Sequence, residues 1–112
     1  MISCAYKIHS ELGPGFNEKI YHNALELALE EAELKFDTEK QYKVIYQNKQ
    51  IGTLKVDLVV AGSVIVEVKA AMGIMPKLFE AQLLSYLKIT NFKVGLLINF
   101  VNKSCEIRRL ML

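Results

Sequence analysis

Two short apolar runs separated by a tight turn constrain this chain most. Val56-Asp57-Leu58-Val59-Val60 and Val64-Ile65-Val66-Glu67-Val68-Lys69-Ala70 are rich in β-branched residues, and Ala61-Gly62 suits a sharp reversal between them. They predict two antiparallel strands of one hairpin. Strand side chains alternate, so Glu67 and Lys69 share one face while Val66 and Val68 share the other. Hairpin pairing brings Asp57 close to Glu67. A half-buried carboxylate is costly unless it is paired or bound to a cation. Two of them with a lysine alongside make a hard-cation site of the kind that can hydrolyse phosphodiesters.

The rest of the chain supplies a frame for that hairpin. Ile2 to Leu12 reads as a short helix, ended by Gly13-Pro14-Gly15. Asn17 can cap a second helix, with Glu18 in its first turn. Ile20, Tyr21, Ala24, Leu25, Ala28, Leu29 and Ala32 recur at helical spacing and predict one buried face. Gln41 to Tyr46 then alternates with period two. Asn48-Lys49 reads as a turn into a longer strand, Ile51 to Val60, with a bulge near Gly52. Three strands in an antiparallel meander result. Pro76 suits the first turn of a third helix running to about Ile89, with Leu78, Phe79, Leu83, Leu84, Tyr86 and Leu87 inward. Lys93 to Asn99 is a continuous apolar run, as in a strand covered on both faces. Ser104 to Leu110 closes the sheet. The expected order is α-α-β-β-β-α-β-β, an α/β fold with a mixed central sheet flanked by helices.

Length and composition fit a single domain over residues 1–112, with a hydrophobic fraction of 52% that excludes a disordered chain. A net charge of +2 is too small to diagnose a partner, so nucleic-acid affinity must rest on local patches. Cys4 and Cys105 form no CxxC pair and read as small apolar fillers, which fits a reducing cytoplasm. No segment has signal-peptide character or the length to span a membrane. His9 and His22 lack metal-ligand spacing. Lys40, Lys43, Lys49 and Lys55 read as solvated strand-edge lysines that discourage aggregation rather than as a phosphate track. Lys103, Arg108 and Arg109 form a small, unspecific basic cluster.

The ordered set Asp57 … Glu67-Val68-Lys69, set in β-β-β-α-β order, resembles the PD-(D/E)XK nuclease superfamily. Gly15-Phe16-Asn17-Glu18-Lys19-Ile20-Tyr21 is similar to the segment that names the small GxxExxY proteins. His9 to Gly15, Glu80 to Leu87 and Gly95 to Phe100 look like the same family. Gln82 and Tyr86, four residues apart on one helix face, match the QxxxY motif of the RecB-like branch. Position 79 is phenylalanine, where these proteins often carry histidine.

The resemblance implies a restriction-endonuclease-like core and a metal-dependent nuclease acting on nucleic acid, DNA first. It implies that Asp57, Glu67 and the Val68 carbonyl hold Mg²⁺ or Mn²⁺, with Glu18 completing the set. Lys69 would position water or stabilise developing charge. Gln82 would contact the scissile phosphate or orient water, and Tyr86 would contact the nucleic-acid backbone or brace Gln82. Each has a plainer reading: a charged strand face, a dipole-favoured first-turn glutamate, a surface amide, a rim aromatic. The alternative function is a catalytically inactive module with the same fold, binding nucleic acid or assembling with protein. So small a domain offers little surface for gripping a duplex, which points to a homodimer or a partner protein.

Overall fold

The structure is a computed structural model describing residues 1–112. Its elements follow the expected order: α1 (Ile2–Leu12), α2 (Glu18–Glu31), β1 (Phe36–Tyr46), β2 (Lys49–Val60), β3 (Val64–Lys69), α3 (Lys77–Thr90), β4 (Val94–Asn99) and β5 (Glu106–Met111). The five strands lie side by side in chain order. β3 and β4 run parallel and all other neighbours are antiparallel. The parallel pair needs a crossover, and α3 supplies it.

The sheet separates two cores. On one face, Cys4, Ala5 and Ile8 of α1 and Tyr21, Leu25 and Leu29 of α2 pack on Leu58, Val60, Val66, Val68, Leu96 and Ile98. On the other, Leu83 and Leu87 of α3 pack with Met75 on Leu54, Val56, Val59, Ile65 and Leu97. The valines flanking Glu67 thus face α2, as alternation predicts.

The α1–α2 connection is fixed by Tyr21. Its hydroxyl donates to the Gly13 carbonyl at 2.7 Å and accepts from the Phe16 N–H at 3.1 Å. Its ring stacks on Phe100 at 4.8 Å. Gly15 has φ 102, a conformation that disfavours side chains. The Asn17 side chain accepts from the Ile20 N–H and caps α2. These contacts set where α2 begins, and therefore where Glu18 stands.

Three expectations need correction. β1 starts at Phe36, not Gln41, and its first residues pair with the end of β2 (Phe36 with Val60, Thr38 with Leu58). The polar stretch Asp37-Thr38-Glu39-Lys40 concealed that segment. The turn is Gln47-Asn48, both with positive φ, and Lys49 already belongs to β2. Leu78 points outward at 74% exposure, one position off the buried stripe of α3, and Ile20 is 41% exposed. The bulge near Gly52 is present: pairing passes from Val44–Gly52 to Ile45–Gln50 and skips Ile51.

One feature breaks simple alternation. Phe36 and Thr38 of β1 and Leu58 and Val60 of β2 face α2, through the α1–α2 core and a Thr38 contact to His22. Tyr42 and Val44 of β1 and Leu54 and Val56 of β2 face α3. Side chains of equal parity therefore change faces along both strands. The change falls at Glu39, with φ 50, and at Asp57 opposite it, where the ladder skips one pair.

Candidate active site

Asp57 and Glu67 occupy the point where β2 and β3 separate. The β2–β3 ladder pairs Val60 with Val64, Val59 with Ile65 and Leu58 with Val66, and then stops. At the next position the side chains take over. The Asp57 N–H donates to Glu67 Oε2 at 3.0 Å, and the Val68 N–H donates to Asp57 Oδ2 at 2.7 Å. Two amides released from the ladder are satisfied by two carboxylates. The two carboxyls also lie within hydrogen-bond reach of each other. The Val68 N–H faces β2, and in a strand the carbonyl of the same residue faces the same way.

Glu67 is 5% exposed. Burial, and then the neighbouring Asp57 charge, pushes its carboxyl up to about 8, while Lys69 opposes this more weakly. The pair therefore lacks enough positive charge within the protein. Two close carboxylates and an inward main-chain carbonyl are oxygen donors of the type that suits a hard divalent cation, and the donor set fits one.

Lys69, two residues along β3, lies on the Glu67 face. Its Nζ sits 3.4 Å from Gln82 Oε1 and 4.6 Å from the centre of the Phe79 ring. Gln82 of α3 is exposed and Tyr86 is partly buried one turn on. Burial, then the charges of Glu67 and Asp57, raises the Tyr86 phenol above its usual value. Strand-borne Lys69 and helix-borne Phe79, Gln82 and Tyr86 converge on one side of the pair.

Glu18 stands on the other side. It lines a cleft of about 210 Å³ with Lys19, His22, Glu39, Asp57 and Val68. Glu18, Asp57 and Glu67 do not converge as one three-carboxylate cluster in this conformation. His22 is buried, with Nε2 2.9 Å from Thr38 Oγ1 and 3.0 Å from Glu26. His9 is partly buried, 2.7 Å from the Asn102 carbonyl. Cys4 is buried, and burial lifts the Cys105 thiol to about 11, which keeps it protonated and unreactive.

Two supports were not anticipated. Phe79 gives Lys69 an aromatic face, so the departure at this position has a contact of its own. Asn99, at the end of β4, is fully buried and pairs with both backbone groups of Ala71, at 3.1 and 2.8 Å. Asn102 treats Gly73 the same way, at 2.9 and 2.8 Å. The two side chains act as a short false strand that holds the loop between Lys69 and α3. The available signal was an asparagine closing an otherwise apolar strand. Arg108, read above as part of an unspecific cluster, bridges Glu80 of α3 and Glu106 of β5, each at 3.0 Å.

The fold and this fork of two carboxylates and a lysine define a restriction-endonuclease-like α/β domain. The family model described as the PD-(D/E)XK nuclease superfamily matches residues 1–110, and the chain belongs to that superfamily. A solved structure titled "Crystal structure of SSO0001" is similar in fold, with a TM-score of 0.68, 19% identity and 83% of this chain covered. This chain spans about half of that one, 48% of its length. No curated protein matches. No helix is long and apolar enough to cross a membrane.

Proposed function

We propose that this domain is a metal-dependent nuclease that hydrolyses phosphodiester bonds of nucleic acid, with DNA as its substrate, in the manner of the GxxExxY proteins and the RecB-like branch. The observation that carries the reading is the reciprocal Asp57–Glu67 arrangement at the strand fork: each carboxylate is anchored by one oxygen to the opposing backbone, and the two carboxyls meet each other. Asp57, Glu67 and the Val68 carbonyl would hold Mg²⁺ or Mn²⁺. When bound, such a cation polarises a phosphate and lowers the pKa of a coordinated water.

The other groups act around that centre. Lys69 carries positive charge to the developing phosphorane, held by Phe79 and Gln82. Water attacks phosphorus and loses a proton to solvent, one ester P–O bond breaks, and the departing oxygen takes a proton from solvent. Gln82 would hydrogen-bond a phosphate oxygen or the attacking water, and Tyr86 would contact the nucleic-acid backbone or brace Gln82. Glu18, across the cleft, would draw in once a cation reduces the repulsion between carboxylates.

A second reading keeps the fold as a non-catalytic binding or assembly module. The separation of Glu18 from the other two carboxylates favours it. Cleavage of labelled single- and double-stranded DNA and RNA with Mg²⁺ or Mn²⁺ decides between them. Metal-dependent cutting that is lost in Asp57→Ala, Glu67→Ala and Lys69→Ala is the expected result. No cutting of any substrate by the parent protein rejects the nuclease.

A further inference from the structure

β3 pairs only with the last three residues of β2, Leu58 to Val60. The preceding stretch of β2, Lys49 to Val56, has β1 as its sole strand neighbour. Residues 40–56 thus form a free two-stranded ribbon, roughly 25 Å long at strand rise. Such a ribbon is marginal alone. Here Tyr42, Val44, Leu54 and Val56 rest one face on the α3 core. The opposite face carries no helix. Gln41 pairs with Lys55 and Lys43 with Thr53 across it, and all four are exposed.

The charges on this ribbon are unlike those of the whole chain. Positions 40–56 hold Lys40, Lys43, Lys49 and Lys55 and no acidic residue, in a chain with 12 acidic residues. Lys40 is engaged by Asp37 at 3.7 Å. Glu39, at the base of the ribbon, is engaged by Lys19 at 3.9 Å. Lys43, Lys49 and Lys55 have no carboxylate partner. Lys43 and Lys55 are diagonal neighbours on one face, where like charges repel. Lysines that only protect an edge need no such clustering. At the far end Ile45, Tyr46 and Ile51 are 53, 63 and 65% exposed.

The ribbon leads directly from the site. Lys55 is two residues from Asp57, and the Lys43–Thr53 pair is two residues further out, about 7 and 14 Å along the strand. The uncovered face is the α2 side of the sheet, the side of the Glu18 cleft.

We infer that the β1–β2 ribbon is the nucleic-acid grip of this domain: Lys43 and Lys55 bind backbone phosphates of a DNA duplex, and the tip enters its major groove. The inference rests on the nucleic-acid reading of the adjacent site. Charge complementarity selects a polyanion. The B-DNA major groove admits a two-stranded β-ribbon, while the A-form RNA major groove is too narrow for side-chain access.

The test is fluorescence anisotropy with a labelled DNA duplex in EDTA, which removes cutting, across a salt series. A duplex RNA of the same sequence runs alongside. Lys43→Ala/Lys55→Ala is compared with Lys88→Ala/Lys93→Ala, which removes two lysines elsewhere. Loss of two phosphate contacts should lower the log–log salt slope by about 1.8 and weaken binding roughly tenfold at moderate salt, with the control pair unchanged. Equal slopes for both double variants, no binding by the parent, or equal affinity for the RNA duplex overturn the inference. Lysine-dependent binding without cleavage in Mg²⁺ would leave the grip standing and reject the nuclease. Cleavage with lysine-independent binding would do the reverse.

Discussion

The backbone N–H of Asp57 donates to the Glu67 carboxylate, while the Asp57 carboxylate accepts from the residue after Glu67. Each acid therefore finishes the other strand's interrupted ladder. The same contacts that end the sheet hold two carboxyl groups face to face. That arrangement gives the site both its rigidity and its demand for a cation.

The Glu67 carboxyl should make stability fall with pH. It titrates near 4.5 when unfolded and near 8 when folded, so the folded state holds the extra proton between those values. The penalty is absent below 4.5, grows as pH rises, and is complete above 8. Glu67→Gln removes it. In EDTA the variant should melt above the parent at pH 8.5, and the gap should close toward pH 5. Added Mg²⁺ should raise the parent's melting temperature at pH 8.5 and leave the variant's unchanged. A gap independent of pH would contradict this account of the pair.

Tyr21→Phe should cost about 0.5–1.5 kcal/mol in urea denaturation, because it removes the hydrogen bonds to the Gly13 carbonyl and the Phe16 N–H. The loss should be local. Amide exchange at Phe16 should accelerate well before exchange in β3, and cleavage should weaken through the displaced Glu18.

Gly95 touches α3. A Cβ there would lie 2.9 Å from a Leu83 methyl, and Leu83 is buried. Gly95→Ala should therefore destabilise by about 1–3 kcal/mol through overpacking. The smaller Leu83→Ala should cost about 2–5 kcal/mol alone. Combined, the two should cost less than their sum, since alanine at 95 fills part of the space vacated at 83. Additive costs in a double-mutant cycle would show the two positions to be independent.

Asn99→Ala removes side-chain contacts to Ala71 N–H, Ala71 C=O and the Val101 N–H. The expected loss is about 2–3 kcal/mol, with a selective rise in proteolysis between Ala71 and Met75. An unchanged cleavage pattern would mean that Asn102 alone holds this loop.

Much of this was readable from the chain. The Asp57–Glu67 approach follows from two β-branched runs and a short turn, because hairpin register leaves little choice once the apolar faces are set. The α2 cap and the crossover helix follow from local chemistry. What stayed hidden has a common cause. Phe36 to Lys40 looked like a loop because polar residues are tolerated on an exposed edge strand. The face change at Glu39 and Asp57 could not be seen, since period-two reading assumes an unbroken pleat. Asn99 and Phe79 act on groups distant in sequence, so neither leaves a local pattern. The lysines of the ribbon read as edge protection in the sequence; only the paired register shows Lys43 and Lys55 on one uncovered face.

The change of face along β1 and β2 sets Asp57 on the seam between the two cores. Above it, the ribbon packs with α3; below it, Leu58 and Val60 turn to α1 and α2 while Val59 stays with α3. These halves share little packing besides the sheet itself. A ligand held between Asp57 and Glu67 would act as a fastener across that boundary, so occupancy of the site would make the halves unfold as one unit. Damage to either hydrophobic half would then be felt as weaker ligand affinity, even from residues that never approach the chemistry.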